Sequence, residues 1–503
     1  MDTIARDLVL SLNSAHHPAA NEDPITAEFV YASALFDQST VAVFAQRLIR
    51  LLAAAIEHPH APVGDLTLLS TEEQAALTAR DADPEGAILL FPELVSRGST
   101  HGPDRVAVRY RDRSITYGEL TEQTARLARA LIARGVGPEV AVAVALPRSF
   151  DMVAAALAIA VAGGVYVPMD PRNPAQRLRH LVEDSGAELG ITAAAHLENL
   201  PDDLTWLTLD DLDRAGAAHA TTPITDADRL APLRVDHPAY IIYTSGSTGL
   251  PKGVTVTHAG LAPLVDEAVR RYHLESDHRF LHICAPWFDP SVLEWLCAFA
   301  TGATLVVVPS EIAGGVELAD LLATESVTHA IITPAVLGTL DPTGLDALES
   351  LSVGGDVTTP ELLAKWQPGR RYLNGYGPTE TTIISSYAEL TAGQPISIGK
   401  TVQGTHAMIL DARLHPVPPG VTGELYLTGA ALARGYRNQP TTTSARFVPD
   451  PWGAPGTRMY RTGDLVRRRD AGDIDYLGRA DTQLKVRGFR IEPGEIDAAA
   501  SSS

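Results

Sequence analysis

Residues 243–254 read "YTSGSTGLPKGV", which crowds Thr244, Ser245, Ser247, Thr248, Gly246, Gly249, Gly253 and a single lysine, Lys252, into twelve positions. The stretch before it, "HPAYIIY", is apolar and β-branched and predicts a buried strand ending at Tyr243. A glycine-rich loop leaving a strand lets backbone N–H groups converge on an anion, and phosphate is the first expectation. A P-loop NTPase would need G-x-x-x-x-G-K-[ST], with a hydroxyl after the lysine to hold magnesium. Here Gly249 is followed by Leu250 and Pro251 before Lys252, and Gly253 comes next, so that reading fails.

The rest of the composition narrows the field. A chain of 503 residues is too long for one core and predicts two to four domains. A formal net charge of -21 argues against nucleic acid, whose phosphates need a basic face. Cys284 and Cys297 are the only cysteines and lack partners at metal-ligand spacing, which predicts two reduced core thiols in a cytoplasmic protein. No apolar h-region follows a basic start, and the longest apolar run, "MVAAALAIAVAGGVYV", is broken by glycines; neither a signal peptide nor a membrane span is expected. Lysine occurs only as Lys252, Lys365, Lys400 and Lys485 among 40 basic residues, so a lysine inside the glycine-rich loop suggests that a compact ammonium is wanted there.

Along the chain the texture changes twice. "ARDLVLSLNS" and "ITAEFVYASALF" predict two strands, and "STVAVFAQRLIRLLAAAIEHP" an amphipathic helix with a Ser or Thr N-cap. From about residue 88 the order becomes strand, helix, strand: "EVAVAVAL", "RSFDMVAAALAIAVAGG" and "VYVPMD" make one βαβ unit, and "ATLVVVP", "VTHAIITP" and "LESLSVGGD" repeat the theme. After about residue 395, "HAMILD", "GELYLTG" and "DIDYLG" predict a β-rich subdomain.

Seven strings then occur in order: "ITYGEL" (115–120), "YTSGSTGLPKG" (243–253), "FDPS" (288–291), "NGYGPTE" (374–380), "GELYLTGAALARGY" (423–436), "YRTGDL" (460–465) and "GRADTQLKVRGFRIEPGEID" (478–497). Together they resemble the motif series of a nonribosomal peptide synthetase adenylation domain, of the adenylate-forming superfamily. Residues 1–80 resemble the C-terminal end of a condensation domain, and "HHPAANED" (16–23) departs from that domain's catalytic HHxxxDG, so this part is read as packing only. The resemblance implies an α/β adenylate-forming fold with two doubly wound parallel-sheet subdomains and a β-barrel-like subdomain. It divides the chain into 1–80, a large core at 81–481, and at 482–503 a stub of the small C-terminal subdomain with a tail of small residues.

The reaction the resemblance implies is amino acid plus ATP giving aminoacyl-AMP and pyrophosphate, which the protein assists by positioning and charge neutralisation. By the same resemblance Thr244, Ser245, Gly246, Ser247, Thr248, Gly249 and Lys252 contact the ATP phosphates, Asn374 reads the adenine amino group and Tyr376 stacks on the ring. Thr379 touches the α-phosphate, Glu380 holds Mg2+, Asp464 accepts the ribose hydroxyls and Arg479 adds a nucleotide contact. Thr248, Lys252, Thr379 and Glu380 would be the catalytic set, and Asp481 the hinge of the small domain. Asp289 would pair the substrate α-amino group. Pro290, Leu293, Ile331, Ser352, Gly354, Gly375, Ile383 and Ile384 would line the rest of an apolar pocket, the two glycines leaving volume for a hydrophobic side chain.

Only some 22 residues follow Asp481, and the terminal lysine of the small domain is not among them, so weakened adenylation is expected. Phosphopantetheine is expected only on a carrier domain not present in this chain. The carrier domain of the same assembly line is an implied partner, and "GAALARGYRNQPTTTSARFVPDP" resembles the region that binds an MbtH-like accessory protein. Two other readings share part of the pattern: an acyl-CoA synthetase or luciferase-like ligase, against which Asp289 counts, and a substrate-binding fragment without catalysis.

Overall fold

A computed structural model describes residues 7–14, 25–80, 89–246, 249–469, 471–481, 483–486, 489–492, 494 and 496. The chain falls into two compact units, Met1–Ala79 with Asp411–Pro418, and Arg80–Leu410 with Pro419–Ser503.

In the first unit, strand Leu8–Ser14 pairs antiparallel with Ile25–Tyr31, as expected, and helix Gln38–Glu57 follows. The expected Ser or Thr cap is corrected: the N-cap is Asp37, which makes no side-chain capping bond, so the helix begins before Ser39. Helix Thr71–Thr78 does carry a capping box between Ser70 and Glu73. Glu73 also receives Arg47 at 3.2 Å and Arg50 at 2.8 Å, which ties the two helices together. Gln38–Glu57 is long and apolar enough by length and composition to cross a membrane. Arg47 and Arg50 sit on it with an ionic partner inside the same unit, and charges near a span's middle are costly in lipid. The segment "HHPAANED" lies outside the described residues.

The second unit is built on three large sheets, with a further two-stranded pair, Leu484–Val486 and Phe489–Ile491. Ala141–Ala145, Val165–Pro168, Leu189–Thr192, Trp206–Thr208 and Pro238–Thr244 form a parallel run, extended on one edge by antiparallel Lys252–Thr257 and Gly435–Tyr436. The βαβ unit expected from the sequence is present: Ser149 caps helix Phe150–Ala162 by accepting the Met152 N–H, and Gly163 ends it at φ 88°. That helix is alanine-rich and almost wholly buried because both of its sides face other elements.

A nine-stranded sheet has the parallel order Arg371–Tyr376, Ser350–Gly354, His329–Ile331, Arg279–His282, Thr304–Val307 and Val106–Tyr110, with antiparallel strands at both edges. The string "ITYGEL" explains itself here. Thr116 and Glu119 form a capping box that starts helix Tyr117–Ile132. The third sheet is antiparallel: Thr405–Leu410, Thr422–Gly429, Arg458–Arg468 and Phe447–Pro449, with Ile474–Arg479 also on Arg458–Arg468. This is the β-rich subdomain expected after about residue 395.

Both cysteines are free and buried, as expected. Two histidines are buried without a countercharge. His258 accepts the Phe91 N–H at 3.1 Å, and burial pushes its pKa down to about 3; burial likewise holds His329 at about 4. Both fold as neutral rings but bind protons below about 6.5 when unfolded, so stability must fall as the pH drops through that window. Each group removes roughly 2 kcal/mol between pH 7 and 5, at 1.36 kcal/mol per pH unit. Chemical denaturation of His258→Gln should therefore lose roughly 2 kcal/mol less than wild type over that range; an unchanged pH slope would refute the assignment.

Candidate active site

The opening stretch is a β-hairpin. Strand Pro238–Thr244 turns into Lys252–Thr257, with Thr244 opposite Lys252 and Gly253 opposite Tyr243. Gly253 has to be glycine, since a Cβ there would meet Ile241 at 2.9 Å and the Tyr243 ring at 3.0 Å. Gly249 adopts φ 87° and its N–H closes the turn on the Gly246 carbonyl at 3.1 Å. Ser247 and Thr248 lie outside the described residues. Thr244 Oγ1 is buried with no hydrogen-bond partner among the described residues, the condition a phosphate oxygen would relieve.

Lys252 is not on the loop, as the sequence suggested, but is the first residue of the return strand and is buried. Its Nζ lies 3.9 Å from Glu380 Oε1 and 4.7 Å above the Tyr436 ring. The Tyr436 hydroxyl donates to the same Glu380 oxygen at 2.7 Å. Two residues predicted separately, Lys252 and Glu380, are thus brought together around a third that the sequence reading had quoted but not assigned. Tyr436 sits on the two-residue edge strand Gly435–Tyr436, paired with Val254, and no spacing in the sequence announces that pairing.

Glu380 and Thr379 belong to a short 3-10 turn, Thr379–Thr381. The next two residues, Thr382 and Ile383, take φ 54° and 67°, left-handed conformations that β-branched side chains rarely adopt. Such strain costs of order 1–3 kcal/mol per residue and needs anchoring. The anchors are Thr382 Oγ1 donating to the Ala431 carbonyl at 2.6 Å, and the hydroxyls of Thr381 and Ser385 at 2.6 Å.

A second cluster gathers the predicted nucleotide contacts. The Tyr376 hydroxyl donates to Asp464, whose other oxygen takes Arg479 at 2.7 Å. Arg479 also grips Asp481 at 2.7 and 2.8 Å, and Arg446 approaches Asp481 at 3.5 Å. Burial pushes the Asp481 carboxyl up, but the Arg479 hydrogen bonds and the nearby guanidinium charges outweigh it and hold the group below its ordinary value. Asn374 uses its Nδ2 on the Ser397 carbonyl at 2.8 Å, a bond that fixes the orientation of its amide.

Several of the predicted pocket residues are buried in the core. Leu293, Ile331, Ile383 and Ile384 belong to a single buried cluster, and Ser352 adds a buried hydroxyl. The role given to the glycines is corrected. A Cβ on Gly354 would stand 2.8 Å from the Gly375 carbonyl, and one on Gly375 2.8 Å from Ile384 Cδ1. Their space is already filled, so they permit two parallel strands and the strained turn to close up and do not enlarge a pocket. Asp289, 4% exposed, precedes helix Pro290–Thr301 yet makes no side-chain cap to it, although Asp is among the best capping residues.

The profile of the AMP-binding enzyme family matches residues 95–437, and that of the condensation domain residues 12–78. The chain belongs to the AMP-binding enzyme family. As such an enzyme it is 43% identical over 98% of its length to a probable non-canonical nonribosomal peptide synthetase, CymA, of Salinispora arenicola (strain CNS-205), of which it covers 6%. It is 40% identical to the phosphinothricin tripeptide synthetase PhsC of Streptomyces viridochromogenes, covering 99% of this chain and 45% of that one. Novobiocin biosynthesis protein H of Streptomyces niveus is 41% identical over 81% of this chain and 69% of its own length. The chain thus spans less than half the length of the first two relatives. Among solved structures, FmoA3 (S1046A) with α-methyl-L-serine-AMP bound superposes with TM-score 0.83 at 29% identity, over 97% of this chain and 56% of that one. The NpsA-ThdA adenylation-PCP fusion from Klebsiella oxytoca gives 0.75 at 28% identity, over 82% and 84%. These matches bear out the resemblance and the adenylate-forming fold.

AMP-binding enzymes use ATP with Mg2+, and the residues fit both. No group of three or more His, Cys, Asp or Glu is gathered for a metal among the described residues. A lone buried carboxylate such as Glu380 suits an ion held mainly by phosphate oxygens and water. The Lys252–Glu380 pair itself is testable by stability. Lys252→Met removes the ammonium 3.9 Å from the buried Glu380 carboxylate and should cost about 3–5 kcal/mol by chemical denaturation. The double variant Lys252→Met/Glu380→Gln should lose clearly less; equal losses would mean that the two charges do not depend on each other.

Proposed function

We propose that this chain activates an α-amino acid with ATP, giving aminoacyl-AMP and pyrophosphate for loading onto the phosphopantetheine of a carrier domain. The observation that carries the reading is Asp289, a carboxylate only 4% exposed at the start of helix Pro290–Thr301, whose residue Leu293 lies in the buried apolar core. A buried carboxylate calls for a cation, and a substrate ammonium supplies one. Leu293, Ile331, Ile383 and Ile384, the apolar residues assigned to the pocket, favour a hydrophobic side chain.

Thr244, with the loop amides from Ser245 to Gly249, would hold the β- and γ-phosphates. Asn374, Tyr376, Asp464 and Arg479 would hold adenosine; Asp464 retains lone pairs to accept ribose hydroxyls beside its present donors. Lys252 and Thr379 would face the α-phosphate as the amino-acid carboxylate attacks in line, which takes charge stabilisation and little covalent chemistry. Glu380 would hold Mg2+, which neutralises phosphate charge when bound. Lys252 then has to trade its contact with Glu380 for phosphate, so nucleotide and metal together replace the resting pair. An MbtH-like accessory protein on the region 429–451 belongs to the same proposal, and unchanged solubility and elution volume on co-expression would remove it.

Isothermal titration of the chain with ATP and a panel of amino acids tests the reading. Asp289→Ala should weaken the preferred amino acid by two to three orders of magnitude, from about 3–5 kcal/mol for a buried unpaired ammonium, and leave ATP within a few fold. Tight binding of fatty or aryl acids lacking the amine would instead favour an acyl-CoA synthetase-like ligase. Amino-acid binding untouched by Asp289→Ala would refute the pocket.

A further inference from the structure

Behind Asp289 lies a buried polar cluster that the proposed reaction does not use. Glu294, His282 and Trp295 are each fully buried. His282 ends strand Arg279–His282, and its Nδ1 stands 2.5 Å from Glu294 Oε2. Trp295 donates its indole N–H to His282 Nε2 at 3.2 Å. Nε2 is therefore an acceptor, and the ring's proton sits on Nδ1, pointing at Glu294.

The carboxylate turns its other oxygen back on the chain. Glu294 Oε1 accepts the N–H of Cys284 at 3.2 Å and that of Ile283 at 3.4 Å. Arg148 holds the opposite side of the Ile283–Cys284 peptide, donating to the Ile283 carbonyl at 2.7 Å, and ties it to a second segment by donating to the carbonyls of Val308, Pro309 and Ile312 at 3.0, 3.3 and 3.1 Å. These anchors bracket the start of the segment that runs to Asp289. The segment closes through Phe288 N–H on the Ala285 carbonyl at 2.9 Å and Ser291 Oγ on the Pro286 carbonyl at 3.3 Å.

We propose that Glu294 is the positioning residue of the substrate-selecting loop: it fixes the 283–289 segment, and so the place of Asp289, through a carboxylate whose orientation Trp295 sets by dictating the tautomer of His282. This rests on the reading of Asp289 given above. The cluster has no polar surface in water and touches neither ATP contact set. Placing a carboxylate, an imidazole and an indole N–H in an apolar core is costly unless every donor meets an acceptor. Here the His282 Nδ1–H and the Ile283 and Cys284 N–H groups converge on the two oxygens of Glu294, the Cys284 N–H reaching both, so the cluster is satisfied only if Glu294 brings no proton donor of its own.

That matching makes the test specific. Glu294→Gln keeps the shape but turns an amide N–H toward the His282 Nδ1–H, or else withdraws an acceptor from the loop. His282 cannot escape by moving its proton to Nε2, because Trp295 donates there. Trp295→Phe removes that obstacle, so the double variant E294Q/W295F can re-pair with the other tautomer. Expected results are a 10- to 100-fold weaker amino-acid affinity in E294Q, the worth of one charge-assisted hydrogen bond, with ATP affinity within threefold of wild type. W295F should stay within threefold, and E294Q/W295F should return to the W295F value. In parallel, hydrogen exchange at the Ile283 and Cys284 amides should quicken in E294Q and slow again in the double variant.

A core residue that merely stabilised the fold would add its loss to that of W295F and would weaken ATP as well; either result overturns the proposal. If Asp289→Ala abolishes amino-acid binding while E294Q keeps it, the positioning role fails and the proposed function stands. If the wild type takes no amino acid, the proposed function fails, and unchanged exchange at Ile283 and Cys284 in E294Q would overturn the role of Glu294 independently.

Discussion

A single buried ammonium joins the three sheets of the second unit. Lys252 opens a strand of the seven-stranded sheet, and Glu380 sits in the turn between Arg371–Tyr376 and Ser386–Glu389 of the nine-stranded one. Tyr436 lies between them with its hydroxyl 3.5 Å from that of Tyr460, on the five-stranded sheet. The junction is buried, and a carboxylate and an aromatic face are both at hand to offset the cost of placing the Lys252 charge there. The strained pair Thr382 and Ile383 is part of the same constraint. It carries the chain from Glu380 back toward the pocket residues, and the Ala431 carbonyl that anchors it belongs to the segment delivering Tyr436.

The same arrangement explains how a site can be stable when empty and still yield to ligand. At 3.9 Å the Lys252–Glu380 contact is longer than a hydrogen-bonded ion pair. The pair therefore prevents the cost of an isolated buried charge without being a strong bond in its own right. A polyanion arriving with a cation offers each member a better partner, which is the kind of differential interaction that shifts a population.

The legible part of this chain was the part written locally. Strand–helix–strand alternation, the apolar strands of both parallel sheets, the capping box inside "ITYGEL" and the buried cysteines are set by residues close in sequence, and they form as read. What could not be read depended on pairing across hundreds of residues. Nothing in "GLPKGV" reveals that the strand restarts at Lys252. Tyr436 gained its role only through an edge strand of two residues. Gly354 and Gly375 were taken for pocket volume because a glycine in a strand looks the same whether a ligand or a backbone carbonyl fills the missing side chain. The structure decides for the carbonyl and for Ile384.

The two sides of the candidate site are held by interactions of different strength, and the difference suits their tasks. The loop carrying Asp289 is pinned by hydrogen bonds to a fully buried carboxylate, the sort of contact that leaves an unsatisfied group behind when broken and is therefore stiff. Asp481 is held instead by Arg479 and Arg446 with about a third of its side chain in water. Exposed ion pairs are worth well under 1 kcal/mol apiece in the usual case, because water replaces either partner readily. A recognition element has to keep its geometry between turnovers, whereas a segment proposed to turn has to release at little cost. Gly463, at φ 78°, lets the Asp464 backbone pass so close to Arg479 and Asp481 that any Cβ there would stand 2.8 Å from Arg479 and 2.9 Å from Asp481. The carboxylate proposed to face the nucleotide and the proposed pivot therefore share one guanidinium, so a change in how Asp464 is held is felt directly by the group that holds Asp481 in place.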